Sequence, residues 1–188
     1  FNISKNSTKY TWQAEIKSIP DFKCISPKQV NMMVSSKNLG FGFSISVQLP
    51  RIKNPVPLFV LFRALGVKSD REVCELILLN IDTENHQEML EFLQASIRDA
   101  SEFVDQSACI AYITSHVMYT PFNMDRETGH KKKREFATHV LDNDMFPHCA
   151  TKSRKLFFLG YMANKLIRVS LGYIECDDRD AYTNKRID

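Results

Sequence analysis

The sequence predicts an α+β fold, with a small antiparallel sheet from the N-terminal third packed against a helical bundle from the rest. Apolar and polar side chains alternate along three stretches before residue 50, whereas after Pro57 apolar residues recur at the three- and four-residue spacing of helices. Pro50, Pro55 and Pro57 mark the change of pattern. We expect one domain, with its sheet over about 1–50, its helical part over about 57–172 and a return segment over 173–188.

The three alternating stretches predict the strands of the sheet. In the first, Tyr10, Trp12, Ala14 and Ile16 fall on one face. A turn between Asn38 and Gly42 joins the other two. The predicted strands cover residues 9–19, 28–36 and 41–49.

The longest apolar run, Pro57 to Gly66, predicts a buried helix. Pro57 suits the first turn of a helix and Gly66 suits the position just past its end. Ser69 and Glu72 have the spacing of a capping box, which predicts that a second helix starts there. A strand over 57–62 remains an alternative because the run is short and aromatic.

Arg63 is the one charge inside that run. A buried guanidinium without a partner would cost several kcal/mol, so it must pair, reach solvent or meet a ligand. We favour a structural ion pair with Asp70 or Glu72.

The later apolar periodicity predicts four more helices, with 119–130 as a loop. Phe146-Pro147-His148 should end the third of these four, Thr151 or Ser153 should cap the last, and Gly172 should stop it. The predicted helices cover 84–100, 105–117, about 131–142, and from about 152 to Gly172.

Composition limits the classes of function. The net charge of +3 neither requires nor excludes nucleic acid. Five cysteines without C-x-x-C spacing predict reduced thiols in an intracellular protein, and no zinc or redox motif. No apolar run approaches the roughly 20 residues that span a bilayer, so no membrane partner is expected. The chain begins with Phe1 and ends in charged residues, so we expect it to be part of a longer protein.

The densest basic run predicts one candidate phosphate-binding surface, consisting of Lys131, Lys132, Lys133 and Arg134. Cations at the start of a helix oppose its dipole, and a bound polyanion would offset that local cost. The alternative is a solvated helix end. A second basic group, in the last helix, is interpreted as its solvated face: Lys152, Arg154, Lys155, Lys165 and Arg168.

The C-terminal stretch combines acids and bases. Asp177, Asp178 and Asp180 could form a divalent-metal loop, but the glycine and distal glutamate of a calcium loop are missing. We interpret these aspartates as structural charges in a network that includes Asn184, Lys185 and Arg186, with a phosphate-facing edge as the functional alternative. The five histidines lack ligand spacing, and no nucleophile–base set is visible, so no catalytic residue or metal site is predicted.

Four motifs in this order resemble the lobe domain, domain 2, of the second-largest subunit of multisubunit DNA-directed RNA polymerases of the RNA polymerase II type. They are Phe62-Arg63-Ala64-Leu65-Gly66 with Ser69-Asp70-Arg71-Glu72, Phe146-Pro147-His148, Phe158-Leu159-Gly160-Tyr161-Met162 with Asn164 and Leu166, and Asp177-Asp178-Arg179-Asp180 with Asn184-Lys185-Arg186. The sequence departs from the family at Ala181, Tyr182 and Thr183, where the family has His, an aromatic residue and Gly. The divergence suits a large-DNA-virus enzyme as well as a cellular one.

The resemblance implies a wall of the DNA cleft near the downstream duplex and a docking surface for small subunits and initiation factors. The implied activity is that of the whole nucleotidyltransferase, with no catalytic residue or cofactor in this segment, because the magnesium aspartates belong to the largest subunit. Implied partners are the largest and small subunits, initiation factors and template DNA, which Asn184, Lys185 and Arg186 would face. The implied location is the nucleus, or the cytoplasm or virion for a viral enzyme. The alternative is a stand-alone protein-interaction module without a nucleic-acid role.

Overall fold

A computed structural model describes residues 1–5, 9–20, 26–37, 40, 42–79 and 86–176. The predicted α+β class is confirmed, because an antiparallel sheet at the N-terminus is followed by helices. The strands are β1 (Asn2–Lys5), β2 (Tyr10–Ser18), β3 (Lys28–Ser35), β4 (Ile45–Gln48) and β5 (Val56–Pro57). The helices are α1 (Leu58–Ala64), α2 (Asp70–Leu78), α3 (Gln87–Asp99), α4 (Gln106–Ser115), α5 (Arg126–His139) and α6 (Lys152–Ser170).

The strands lie in chain order across the sheet, β1-β2-β3-β4-β5, and every neighbouring pair is antiparallel. Ala14 pairs with Met32, which pairs with Val47, and all three side chains are fully buried on the core face. The predicted alternation therefore holds from Trp12 to Ile16 in β2, but the register shifts between Tyr10 and Trp12. In β3, the predicted face is buried, but Met33 on the other face is buried as well. β4 begins only at Ile45, so the prediction of a strand from residue 41 was too long. β1 and β5 were not predicted because runs of four and two residues carry too little periodicity.

The run from Pro57 to Gly66 contains the predicted buried helix, α1, and every residue of the helix from Leu58 to Ala64 is buried. Pro57 precedes the first helical residue, and Gly66 adopts a φ of +109° just past the end. The amide of Gly66 donates to the carbonyl of Arg63 and that of Val67 to the carbonyl of Phe62, which closes the helix in a Schellman motif. The strand alternative for 57–62 is wrong beyond Pro57, the last residue of β5.

The start of α2 follows the predicted cap with one change. The Ser69 hydroxyl accepts from the amide of Glu72, but the Glu72 carboxylate accepts from the amide of Lys68 instead of that of Ser69. The acids Asp70 and Glu72 lie in the first turn, where the helix dipole favours negative charge.

The start of α5 corrects the sequence analysis. The helix begins at Arg126, so the predicted loop is confirmed over 119–125 and wrong over 126–130, and the predicted helix start near Lys131 was too late. Asp125 is the N-cap, and its side chain accepts from the amide of Thr128 at 3.2 Å. These hydrogen bonds with Thr128 lower the pKa of Asp125 from its ordinary value. Gly129, a poor helix former, obscured the pattern.

The end of α5 passes from α-helical to π-helical geometry. A π-helical turn over Val140–Asp144 continues the helix, and Met145 leaves it in extended geometry. Phe146 follows with a φ of +50° and is fully buried, so the predicted break at Phe146-Pro147-His148 is confirmed.

The longest helix, α6, has the predicted ends and crosses α2 closely. Thr151 caps its start by accepting from the amide of Arg154 at 3.3 Å, and Gly172, with a φ of +80°, follows its end. A Cβ atom on Gly160 would lie 2.4 Å from the carbonyl oxygen of Leu76 in α2, so only glycine permits this crossing. The Asn164 side chain then donates to the carbonyl of Ile77 at 2.8 Å.

Candidate nucleic-acid interface

The basic run of α5 lies in the middle of a helix. Lys131, Lys132, Lys133 and Arg134 occupy consecutive helical positions, so neighbouring side chains leave the axis about 100° apart. They therefore cannot all face one surface. The dipole argument for this run also fails, because the run begins more than a full turn after Arg126.

Two of these four cations share an exposed side of α5. Lys131 and Arg134 are exposed and three positions apart, which places them about 60° apart around the axis. Within the described part of the chain, neither forms a salt bridge. By contrast, Lys132 pairs with Glu135 at 3.2 Å, and Lys133 is only partly exposed. Lys131 and Arg134 are the pair that can meet adjacent phosphates.

The segment before α5 fixes the orientation of that helix. A Cβ atom on Gly129 would lie 3.2 Å from Cγ of Pro121, so the glycine allows this segment to approach the helix. The Tyr119 ring stacks on Phe136 with centroids 5.1 Å apart. The guanidinium carbon of Arg51 also lies over the Phe136 ring, 5.7 Å from its centroid. These contacts hold one side of α5 against the domain and leave Lys131 and Arg134 outward.

Arg63 makes the ion pair that the sequence predicts. Its Nη2 donates to Oδ1 of Asp70. Its Nη1 donates to the carbonyls of Ala100, at 2.6 Å, and Phe103, at 2.7 Å. The guanidinium therefore ties α1 to the start of α2 and to the turn after α3, and it is 6 % exposed.

Lys155 is the largest departure from the predicted solvated face of α6. It is 2 % exposed, and its Nζ donates to the carbonyls of Leu141, at 2.9 Å, and Asp142, at 2.6 Å. Burial lowers the pKa of Lys155, and the charge of Asp142 opposes that shift. Its spacing from Leu159, Met162 and Leu166 was the signal that could have placed it on the buried side.

A buried carboxylate that the sequence analysis missed joins the sheet to the helices. Asp144, 5 % exposed, lies 3.6 Å from Nζ of Lys28 and 3.5 Å from Nε of Arg51. Lys28 begins β3 and Arg51 follows β4. Nothing in the local sequence distinguishes Asp144 from its exposed neighbour Asp142.

The second predicted nucleic-acid surface lies outside the described residues. This applies to Asn184, Lys185 and Arg186 and to the aspartates at 177, 178 and 180. Their roles stay predictions.

The remaining chemistry of the described residues is that of a packed core. Burial raises the pKa of Cys74 to about 11, with the charges of Asp70 and Glu75 adding to the shift. Burial also raises the pKa of Cys109 and Cys149. In the described ranges, no three His, Cys, Asp or Glu side chains are grouped so that they could hold a metal ion. None of the described helices combines the length and apolarity needed to cross a bilayer.

Comparison with known families identifies the domain. The family model described as RNA polymerase Rpb2, domain 2, matches residues 16–188. The chain belongs to this family. The predicted resemblance to domain 2 of the second-largest polymerase subunit is thereby confirmed.

Individual relatives agree with the family. The chain is 36 % identical over 183 residues to the DNA-directed RNA polymerase II subunit RPB2 of Encephalitozoon cuniculi. The aligned stretch covers 95 % of this chain and 15 % of the relative. It is 33 % identical over 181 residues to the subunit of the same name in Schizosaccharomyces pombe, covering 93 % and 14 %. The archaeal subunit Rpo2 of Saccharolobus solfataricus is 29 % identical over 147 residues, 75 % of this chain and 12 % of the relative. The chain thus spans about one seventh of the length of these subunits.

The described motifs of domain 2 lie where the helices join. Arg63 and Gly66 form the corner between α1 and α2, and Gly160 and Asn164 form the crossing of α6 with α2. The Phe146 ring meets Phe158 edge-on at 5.0 Å. These residues hold the helices in fixed relation, which is a requirement of the scaffold and not of a reaction centre.

Proposed function

We propose that this chain is the lobe of the second-largest subunit of a DNA-directed RNA polymerase and forms a wall of the DNA cleft near the downstream duplex. The observation that carries the proposal is the family match over residues 16–188. The lobe extends over 1–188, with Asp177, Asp178 and Asp180 as structural charges of its return segment. The relatives contain the matching stretch inside a much longer subunit, which does not favour the stand-alone interaction module.

The lobe would act on DNA by shape and charge. Phosphate contacts position a duplex without reading its sequence, and lysine and arginine supply them. Lys131 and Arg134 are the first candidates for these contacts, because both are exposed on one side of α5 without a carboxylate partner among the described residues. Asn184, Lys185 and Arg186 are a second candidate group.

The chemistry of the enzyme would lie on other chains. We propose that nucleotidyl transfer uses magnesium held by the largest subunit, with no cofactor in the lobe. The lobe would contact the largest subunit, small subunits, initiation factors and template DNA. The named eukaryotic relatives are RNA polymerase II subunits, so we propose a nuclear location. A cytoplasmic or virion location would apply to a viral enzyme.

A charge-neutralised polymerase tests the α5 contact. Glutamine replaces all four cations from Lys131 to Arg134 in the assembled enzyme, and template affinity is measured over a range of salt concentrations. Each lost phosphate contact lowers the slope of log K against log salt by about 0.9, so we expect a decrease of about 2 for two contacts. An unchanged slope removes α5 from the cleft wall.

The same measurement examines the C-terminal group. Replacing Lys185 and Arg186 with glutamine should lower the slope of log K against log salt by about 2, relative to the unmodified enzyme, if both residues contact phosphates. A slope equal to that of the unmodified enzyme would leave the return segment without a role in DNA contact.

A further inference from the structure

Helix α6 carries a second ordered face, which is directed away from the core except at one edge, where Phe158 packs against it. The residues Arg154, Phe157, Phe158, Tyr161, Lys165 and Arg168 follow one another at intervals of one, three or four positions. With 3.6 residues per turn, all six fall within an arc of about 100°. Leu159, Met162, Ala163 and Leu166, which are fully buried, lie on the other side of the helix. We call the six residues the outer face of α6.

The centre of the outer face is aromatic and accessible. Phe157 is 59 % exposed and Tyr161 is 44 % exposed. Phe158 is half-buried and packs edge-on against His148 with centroids 4.7 Å apart. An open cavity of about 580 Å³ lies between this aromatic row and the turn at 148–149. Adjacent exposed aromatic side chains beside a cavity are typical of a protein-binding surface.

The ends of the outer face are positive. Arg154 lies at the start of the aromatic row, and Lys165 and Arg168 lie beyond its end. Nζ of Lys165 is 5.9 Å from the centroid of the Tyr161 ring, so this cation extends the aromatic row. Helix α6 contains no acidic residue. The chemistry that complements this face is therefore apolar in the middle and acidic at both ends.

From this geometry, we propose that the outer face of α6 binds an acidic amphipathic helix of another polypeptide in the polymerase. The occupant would place apolar side chains at three- and four-residue spacing on Phe157 and Tyr161, and carboxylates near Arg154 and Arg168. A helix-against-helix contact suits the straight row, which extends over about 16 Å from Phe157 to Arg168. The proposal rests on the proposed function in one respect, namely that the lobe is assembled with other chains.

Photo-cross-linking in the assembled polymerase tests the contact. A photoreactive phenylalanine analogue replaces Phe157 in the full-length subunit, and the adduct is sequenced by mass spectrometry. Phe122, which is 81 % exposed and lies outside α6, receives the same analogue as a matched control. The charge test adds Arg154→Glu, which preserves the start of α6 because an acid is favourable in the first turn.

We expect the Phe157 probe to join a different polypeptide at a segment that is acidic and has apolar residues at helical spacing. Arg154→Glu should reduce the yield of this adduct by about tenfold through like-charge repulsion. It should leave the yield from the Phe122 probe unchanged.

An adduct within the same subunit, with nucleic acid, or with a basic or uncharged segment would overturn the proposal, as would the absence of any adduct at Phe157. An adduct whose yield is insensitive to Arg154→Glu would also overturn it. Template binding of the same preparations is measured in parallel. Template binding reports on the cleft-wall role, and the identity of the Phe157 adduct reports on the helix contact, so either proposal can fail without the other.

Discussion

Arg63 and Lys155 differ from Lys131 and Arg134 in what satisfies their charge. The first two are buried and donate to backbone carbonyls at the junctions between helices. The second two are exposed on α5 and form no salt bridge with a described residue. We therefore expect the buried cations to support the fold and the exposed ones to be available to a partner. The following substitutions test that division.

Replacing Arg63 with methionine should have the largest effect on stability. The change leaves the carbonyls of Ala100 and Phe103 without their donor and leaves Asp70 without its cation. The Asp70 side chain is 40 % exposed and can be solvated, so most of the loss comes from the two carbonyls. We expect a decrease of about 3 kcal/mol in the free energy of unfolding, which urea denaturation can measure. Arg71→Met is the matched control, since Arg71 lies on the exposed side of α2 with Glu75 as its salt-bridge partner. Equal losses in the two variants would contradict the division.

Replacing Lys155 with methionine should have the next largest effect. The methionine chain fills similar space but cannot donate to the carbonyls of Leu141 and Asp142. We expect a loss of about 2 kcal/mol in the free energy of unfolding. Lys152→Met, which removes only a 3.8 Å surface contact with Asp142, should change stability by less than about 0.5 kcal/mol. A Lys155 variant as stable as the Lys152 control would show that the buried lysine is dispensable.

The pH dependence of stability gives a second test of the buried Lys155. Because burial lowers its pKa in the folded protein, the folded state releases this proton at lower pH than the unfolded state. Its contribution to stability is therefore constant below the folded pKa and rises between that pKa and the ordinary lysine value of about 10.4. Stability measured against pH for the unmodified chain and Lys155→Met should diverge in this alkaline window, in favour of the unmodified chain. Parallel curves would mean that burial does not shift the lysine.

Helix ends were the most predictable feature of this fold. Ser69, Thr151, Gly66 and Gly172 satisfy orphan backbone groups locally, so a few neighbouring residues determine the outcome. The core face of β2 and β3 was predictable because alternating apolar and polar residues indicate which face of a strand is buried.

The errors arose where contacts that the apolar pattern does not record determine the structure. The start of α5 depends on Asp125 and on Pro121 packing over Gly129, and a glycine at that position suggests a loop in the sequence alone. Lys155 and Arg154 are adjacent bases, yet one is buried and the other exposed. The spacing of Lys155 from Leu159 could have placed it on the buried side, but its acceptors, the carbonyls of the π-helical turn at Val140–Asp144, could not be predicted from the local sequence.

The predicted phosphate surface stays a prediction, and only the structure shows which of its cations share a side of α5. Four consecutive cations look like one patch in a sequence, but a helix distributes them around its axis. In α6, Arg154, Lys165 and Arg168 are separated by eleven and three positions and share one face with the aromatic row. Spacing, and not density, therefore decides which charges can act together.

A comparison of unpaired with salt-bridged cations tests whether Lys131 and Arg134 contact DNA. The salt dependence of template binding is measured for assembled polymerase carrying Lys131→Gln with Arg134→Gln, and for a matched double variant carrying Lys132→Gln with Lys152→Gln. Both remove two positive charges, but Lys132 and Lys152 already have carboxylate partners in Glu135 and Asp142. We predict that the slope decreases by about 2 for the first pair and by less than about 0.5 for the second. Equal decreases would contradict the account, because they would show that total charge alone determines the contact.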